Sequence, residues 1–250
     1  MSVLRRLAFL ATLALAACAT QPTPQRAAAW SEARQLVLVT IADWNDHTGT
    51  LRAFERDANG WHAHGEPVAV VIGRNGAAWG IGLHPVQAGL QKKEGDGRSP
   101  AGVFAIGTAF GYAASEPTGL PFLALQSDDY CIDVDRSPLY NRIVSEHTVG
   151  ADAVKGSSEP MRRDLHAHGD AAYKIGFVIE HNPHAVAGAG SCIFAHLWKS
   201  ANSSTAGCTA MTEDAMRQLL AWLKPQARPV FVLLPRSEYV RVREAWRLPL

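Results

Sequence analysis

Cys208 is the side chain of this sequence best placed for covalent chemistry. It lies in the stretch SSTAGCTAM (Ser203 to Met211), among small residues rather than the bulky apolar neighbours of a structural cysteine. Gly207 permits the close backbone approach that an oxyanion pocket requires. Cysteine nucleophiles need a histidine base within hydrogen-bonding reach, and His196 ends the stretch SCIFAH just before this loop. Cys208 and His196 are therefore a candidate nucleophile and base.

A helix is predicted shortly after the cysteine, over the stretch TEDAMRQLLAWLKP. Thr212 is a typical N-cap, acidic residues follow in the first turn, and Pro225 ends the pattern. Because a helix N-terminus stabilises a nearby anion, this placement predicts that Cys208 favours its thiolate form.

Most of the remaining chain is typical of β-strands. Between residues 36 and 72, apolar and β-branched runs alternate with the turn sequences DHTG and ANG, which predicts hairpins. Further strand candidates are AGVFAIG, LPFLAL, YCIDV, YKIGFVIEHN, SCIFAHLW and PVFVLLP. The pattern predicts a mainly β domain with few helices over residues 36–250.

The N-terminus has the pattern of a bacterial export signal. Two arginines precede an apolar run of 11 residues, too short for a bilayer span of about 20 residues. The run ends LAAC, and small residues before a cysteine resemble a lipobox. We expect residues 1–17 to be a lipoprotein signal peptide, Cys18 to be lipidated and residues 18–35 to form a tether. An ordinary signal peptide with an incidental Cys18 is the alternative.

A lipid at Cys18 would hold the protein at a membrane. Ala19 follows the cysteine where aspartate would favour retention at the inner membrane. We therefore expect a periplasmic protein anchored in the inner leaflet of the outer membrane. The formal net charge of +1 lacks the basic bias of nucleic-acid-binding proteins, so no nucleic-acid partner is expected.

The cysteine count bears on the state of Cys208. With Cys18 lipidated, three cysteines remain, so at least one stays unpaired in an oxidising compartment. A disulfide between Cys131 and Cys192 would leave Cys208 free, and two further free thiols are the alternative. A disulfide between Cys192 and Cys208 would abolish the proposed chemistry.

The histidine pairs of the sequence do not predict a metal site. HAH occurs at His62–His64 and again at His166–His168, and alternating histidines on one strand face could bind zinc. No third ligand and no Cys-x-x-Cys accompanies either pair. We expect no metal.

Several stretches together resemble the L,D-transpeptidase (YkuD-like) family. GSCIFAHLWKSANSSTAGCTAM resembles the family's strand-end histidine, loop and Ser/Thr-His-Gly-Cys. KKEGDGRSPAGVFAIG (Lys92 to Gly107) resembles its Glu-Gly-Asp-Gly run, and YCIDVDRSPLYNRIV (Tyr130 to Val144) its Asp-x-x-Ser-x-x-Tyr-Asn element. SEPMRRD with Tyr173 is a fourth match. The matches occur in family order between about residues 90 and 235.

The resemblance implies a β-sandwich-like catalytic domain of mixed strands, with one long helix after the cysteine and no organic cofactor. It implies Cys208 as nucleophile, His196 as base and Gly207 in the oxyanion turn. The implied substrate is the peptidoglycan stem peptide, cut between the L-centre of its third residue and D-Ala and transferred to an amine. The substrate-binding residues expected on this basis are Thr205, Trp198, Arg142, Tyr140 and Asn141.

Two positions depart from the family pattern. Ala206 stands where the family often has histidine, and Ala210 where it often has arginine. Such an arginine would neutralise charge on the substrate or the oxyanion. Arg142, Arg162 and Lys199 are candidate replacements.

Two other functions stay open at this point. Water in place of the amine would make the protein an L,D-carboxypeptidase or a related amidase. Loss of the family arginine would suit an inactive wall-binding lipoprotein, whereas retention of Cys208 and His196 opposes that alternative. The sequence shows no side chain that would orient His196, and a backbone carbonyl could serve.

Overall fold

The computed structural model describes residues 29–249. The predicted signal peptide, Cys18 and most of the predicted tether lie outside these residues. The strands are β1 Gln35–Ile41, β2 Thr48–Asp57, β3 Gly60–Val71, β4 Ala77–Trp79, β5 Ser99–Gly111, β6 Phe122–Ala124, β7 Asp129–Cys131, β8 Ile143–Ser145, β9 Glu159–Pro160, β10 Ile175–Ile179, β11 Phe194–Leu197, β12 Thr209–Met211 and β13 Val230–Pro235.

The helices are few and short. They are α1 Glu146–Val149, α2 Ala151–Val154, α3 Glu213–Trp222 and α4 Arg236–Val242, with 3₁₀ turns at Arg163–His168 and Pro225–Ala227. None of the helices within residues 29–249 has the length and apolarity needed to cross a membrane.

The large sheet closes on itself. Its strands follow the order β10, β11, β12, β3, β2, β1, β13, β5, and β5 pairs again with β10. β4 and β6 add to β5 outside this closed path. Closure leaves few free strand edges. The predicted mainly β fold is confirmed, but the predicted sandwich is not, because the hydrogen-bonded strands form one barrel-like sheet.

β5 is the strand that makes this closure possible. Its 13 residues pair antiparallel with β13 around Val103 and with β10 around Phe110. β1 and β13 run parallel, and nearly every residue in them is buried. Such continuous apolar runs are typical of strands covered on both faces. The resulting core supports the strands that carry the candidate site.

A helix after the cysteine is present as α3, but it has only ten residues, so the predicted long helix is not confirmed. The Thr212 hydroxyl accepts a hydrogen bond from the Ala215 amide, as expected of the N-cap, and the apolar face of the helix is buried. The helix does not follow the cysteine directly. The strand β12, which the sequence analysis did not predict, lies between Cys208 and the helix.

The packed domain includes part of the predicted tether. The side chains of Trp30 and Ala33 are buried. The Trp30 indole N–H donates to the Trp246 carbonyl, and the two indole rings meet edge to face at 5.6 Å. The N-terminal segment from residue 29 therefore lies against the C-terminal end of the domain.

A small second sheet is joined to the large one by a disulfide. β7 pairs antiparallel with β8 and β9, and Cys131 in β7 is bonded to Cys192, just before β11. Cys208 is a free thiol. The structure thus selects the Cys131–Cys192 pairing among the alternatives that the sequence left open.

Removing this disulfide should destabilise the domain. Its cysteines are 61 residues apart, and a crosslink closing a loop of that size contributes about 4 kcal/mol through the unfolded chain. We expect a Cys131→Ala/Cys192→Ala variant to lose about that free energy of unfolding in urea titrations without reductant. Coinciding transitions of variant and parent would show that the disulfide does not stabilise the fold.

Candidate active site

The parallel pairing of β11 with β12 brings His196 and Cys208 to neighbouring positions. His196 lies opposite Ala210, so Cys208 comes beside Phe194, two residues back along both strands. The Phe194 amide donates to the Cys208 sulfur at 3.3 Å. The register therefore places the two predicted residues two positions apart on neighbouring hydrogen-bonded strands.

His196 is oriented by a backbone carbonyl. Its Nδ1 lies 2.8 Å from the Leu197 oxygen. A carbonyl only accepts, so Nδ1 carries the proton and Nε2 is left as the basic nitrogen. Burial lowers the pKa of His196, so the imidazole is neutral near pH 7. The ring of Tyr173 packs edge-on against it, with centroids 5.4 Å apart.

The turn that carries Cys208 is held by two hydroxyl groups. Thr205 Oγ1 donates to the Cys208 carbonyl at 2.6 Å and accepts from the Gly207 amide at 3.1 Å. Ser99 Oγ donates to the Gly207 carbonyl at 2.6 Å. A Cβ at Gly207 would lie 3.0 Å from the Arg98 carbonyl oxygen, so glycine permits this close approach.

Through these contacts Thr205 and Ser99 stabilise the turn that carries Cys208. Substrate binding by Thr205 and an oxyanion role for Gly207 stay predictions, because the hydroxyl and the amide are engaged with each other. The sequence analysis missed Ser99. Its signal was the Ser-Pro that ends the EGDG run, beside the glycines that bend the chain.

Cys208 is held as a thiol in this structure. Cys208 is 6% exposed. Its burial raises the pKa of the thiol, and the negative charge of Glu159 raises this pKa further. The thiol donates weakly to the Cys192 carbonyl, at 3.5 Å. Helix α3 begins beyond a three-residue strand, about 10 Å further along the chain, and the field of a helix end fades within a turn. The prediction that Cys208 favours its thiolate is therefore wrong for this state.

The comparison with protein families agrees with this geometry. The model of the YkuD domain, the L,D-transpeptidase catalytic domain, matches residues 41–232. The chain belongs to the L,D-transpeptidase family. The matched segment covers most of the described domain and contains both Cys208 and His196. No match was found among curated proteins or among solved structures.

The position of the usual family arginine is closed in this L,D-transpeptidase-family domain. Ala210 is 1% exposed and lies between His196 of β11 and Val71 of β3. Because Ala210 is so little exposed, a long cationic side chain there would have to displace the residues that cover it. The positive charge that the family often has at this position is therefore absent from β12.

The cation that acts on Cys208 comes from another segment. Lys92 lowers the pKa of the Cys208 thiol. It is buried, and its ammonium is 2.6 Å from an Asp96 oxygen. Lys92 opens the EGDG run, but the sequence gave no sign of its burial, so the analysis missed it.

The candidate replacements for the arginine are placed differently. Arg162 is hydrogen-bonded to Asp164 and to the Tyr130 hydroxyl, whereas Arg142 and Lys199 are exposed. None of these three is among the groups that shift the pKa of Cys208.

Two predicted substrate-binding residues support the segment before β11. Tyr140 is buried, and its hydroxyl donates to Glu94. Asn141 accepts from the Cys192 amide at 2.8 Å and has a positive φ of 62°, a backbone conformation that asparagine tolerates. The Asn141 bond positions Cys192, whose carbonyl accepts from the Cys208 thiol. The Tyr140 hydroxyl also accepts from the Gly190 amide. Direct contact of either side chain with substrate stays a prediction.

Trp198 lies just beyond His196, as expected of a residue near the site. It is half-buried, and its amide donates to the Met211 carbonyl at 2.9 Å. Its contribution to substrate binding stays a prediction.

The histidines of the first pair contact an acidic and an aromatic side chain. His62 lies 2.9 Å from an Asp57 oxygen, and His64 stacks on the Trp222 ring. Residues 29–249 contain no group of three or more histidine, cysteine or acidic side chains arranged to hold a metal ion.

Alkylation of native Cys208 by iodoacetamide should show the raised thiol pKa. Because burial and Glu159 disfavour the thiolate, we expect slow reaction at neutral pH and a rate that rises about tenfold per pH unit up to about pH 10. Peptide mass mapping gives the rate at Cys208, and the urea-unfolded protein, with an ordinary thiol, is the control. A plateau below pH 8 would contradict this assignment.

Proposed function

We propose that the chain is a peptidoglycan L,D-transpeptidase in which Cys208 is the nucleophile and His196 the base. The observation that carries the proposal is the register of β11 and β12. The proposal is supported by the short separation of Cys208, the only free thiol among the described residues, from His196 on the paired strand, whose Nε2 is unprotonated. This arrangement lies within the family's catalytic domain.

The first half of the reaction forms a thioester. His196 Nε2 takes the Cys208 proton as the sulfur attacks the carbonyl between the third stem residue and D-Ala. The tetrahedral intermediate collapses, the C–N bond breaks, and the imidazolium returns the proton to the departing amine of D-Ala. The peptide remains as an acyl-enzyme on the sulfur.

The raised pKa of Cys208 suits a proton transfer that occurs only with substrate bound. A free thiolate would be exposed to oxidation in the periplasm, whereas the thiol is less reactive. The neutral His196 accepts the proton when the substrate displaces the thiol from the Cys192 carbonyl. Catalytic hydrogen bonds commonly shorten only in such complexes.

In the second half, an amine of another stem peptide attacks the thioester. Water in its place would give an L,D-carboxypeptidase or a related amidase, which shares every earlier step. An inactive wall-binding lipoprotein is the less favoured alternative, because His196 keeps a hydrogen bond that orients it as a base.

We also propose that the protein is held in the periplasm by a lipid at Cys18, in the inner leaflet of the outer membrane. The support is the LAAC sequence after a short apolar run, followed by Ala19. The mass of the mature protein from membranes should include a diacylglycerol and a fatty acid at a Cys18 N-terminus. A Cys18→Ala variant is the control, and a mature N-terminus without lipid would contradict the anchor.

Product analysis tests the enzymatic proposal. The protein is incubated with purified tetrapeptide muropeptides, and products are read by mass. We expect loss of D-Ala with cross-linked dimers, and a fall of about 1,000-fold or more in Cys208→Ala and His196→Ala. Ser200→Ala, an exposed change in the same loop, should match the parent.

Tripeptide without dimer would indicate the carboxypeptidase instead. Equal product from parent and Cys208→Ala would show that Cys208 is not the nucleophile. No product from any variant would favour the wall-binding alternative.

A further inference from the structure

The second sheet places an acidic side chain, Glu159, beside the candidate site. Glu159 in β9 lies opposite Cys131 in β7, and Cys131 is bonded to Cys192. The Cys192 carbonyl accepts from the Cys208 thiol. Three links, a strand pairing, a disulfide and a hydrogen bond, thus connect Glu159 to the nucleophile, and its charge raises the pKa of Cys208.

Tyr173 connects this carboxyl to the base. Its hydroxyl donates to Glu159 Oε1, and its ring packs edge-on against His196 at 5.4 Å and Phe194 at 5.8 Å. Tyr173 is itself 8% exposed. The hydrogen bond and the packed ring link the Glu159 carboxyl to His196 through Tyr173.

Glu159 has acidic neighbours and no cationic partner within residues 29–249. Asp133, Glu94 and Asp170 all raise its pKa. With burial as the largest cause, and despite the lowering effect of the Tyr173 hydrogen bond, the pKa rises to about 7. Among the described residues only Tyr173 donates to this carboxyl, through Oε1, which leaves Oε2 to accept another donor.

A buried carboxylate without a counter-ion is costly, and a cation supplied by a ligand removes that cost. The transfer step proposed above brings such a cation, because the acceptor amine is an ammonium ion at neutral pH. We propose that Glu159, held by Tyr173, binds the acceptor ammonium of the transfer step and takes its first proton. This inference rests on the proposed transpeptidase function.

The protons of the transfer step then balance. The Glu159 carboxylate takes one proton from the ammonium, which gives a neutral amine with a free electron pair. That pair forms the new C–N bond at the thioester carbonyl, and His196 takes the second amine proton. The C–S bond breaks, and His196 returns this proton to the sulfur. The products are the amide, the Cys208 thiol and a protonated Glu159, which then loses its proton to solvent.

Glu159 is poorly suited to the first half of the reaction. A carboxylate beside the thiol raises the thiol pKa, which opposes formation of the sulfur nucleophile. The Glu159 carboxyl is therefore expected to act in only one half of the reaction. Removal of its charge should leave acylation of Cys208 intact and impair attack of the amine on the thioester.

The test compares the parent with Glu159→Gln, using the full chain and tetrapeptide muropeptides as donor and acceptor. Glutamine retains an oxygen that accepts from Tyr173 but cannot take a proton. We expect the single-turnover rate of acyl-enzyme formation, read by intact mass, to stay within about threefold, and dimer formation to fall about 100-fold. The ratio of tripeptide to dimer should rise accordingly.

Asp133→Asn is the matched control, since Asp133 also raises the pKa of Glu159 but lies just beyond the central strand β7, where its carboxylate accepts from Ser158. It should retain dimer formation, with the pH midpoint of transfer moved downward, because removal of the Asp133 charge lowers the pKa of Glu159. Without any substrate, Glu159→Gln should speed the alkylation of Cys208 at pH 8, because the lost charge lowers the thiol pKa. This readout reports the position of Glu159 independently of activity on peptidoglycan.

The pH dependence gives a readout that a structural role would not move. Glu159 acts as a base only when ionised, so transfer by the parent should rise with pH through a midpoint near 7. Tyr173→Phe removes a hydrogen bond that lowers the pKa of Glu159, so its midpoint should move upward. In Glu159→Gln, the rate of transfer should depend on pH only through deprotonation of the acceptor amine.

Three results would overturn the inference: equal loss of acylation and transfer in Glu159→Gln, an unchanged yield of dimer, or a selective loss of tripeptide, which would make Glu159 a base for water. A parent that forms no acyl-enzyme would instead refute the proposed function and the inference with it.

Discussion

The site depends on one short interaction, the parallel hydrogen bonding of β11 with β12. Each strand has three or four residues, so the pair gains little stability by itself. Its register is held from outside: β10 pairs with β11, β3 pairs with β12, and Ser99 and Thr205 secure the turn before Cys208. A shift by one residue would turn the side chains to the other face. The closed sheet therefore positions two side chains that lie 12 residues apart in the chain.

Burial decides the electrostatics of the site. It raises the pKa of Cys208 and Glu159 and lowers that of His196, which in each case disfavours the charged form. In the unliganded site Cys208 and His196 are thus neutral, whereas Glu159, with a pKa of about 7, is partly ionised near neutral pH. In the proposed reaction, charge develops on Cys208 and His196 when the thiol gives its proton to the imidazole, and the acceptor ammonium supplies the counter-ion for Glu159. Lys92 and Asp96, which are paired with each other, add little net charge.

Local sequence patterns predicted part of the fold and part of the candidate site. Strand-forming runs, the N-cap Thr212 and the spacing of His196 and Cys208 can be identified because each depends on residues close in sequence. The strand β12 could not be predicted, since three residues are too few to show a period. Closure of the sheet depends on pairing between β5 and β10, far apart in the chain, which no local pattern reveals.

The electrostatic part of the site was the least predictable. Lys92 and Glu159 are charged residues in polar stretches, where exposure is the normal expectation. The pairing of β9 with β7 partly encloses Glu159, and Lys92 is buried beside Asp96 and Gly190. These contacts depend on the folded structure and leave no local pattern in the sequence. The thiolate prediction was wrong for the same reason, because it considered the nearby helix and could not include the desolvation of Cys208.

The most direct test of the account is to trap the acyl-enzyme. The protein is mixed with a tetrapeptide muropeptide, quenched in acid within the first turnover and analysed by intact mass and peptide mapping. The account predicts an adduct equal to the muropeptide minus D-Ala, located on Cys208. An adduct on another residue, or release of D-Ala with no adduct at any time, would contradict it.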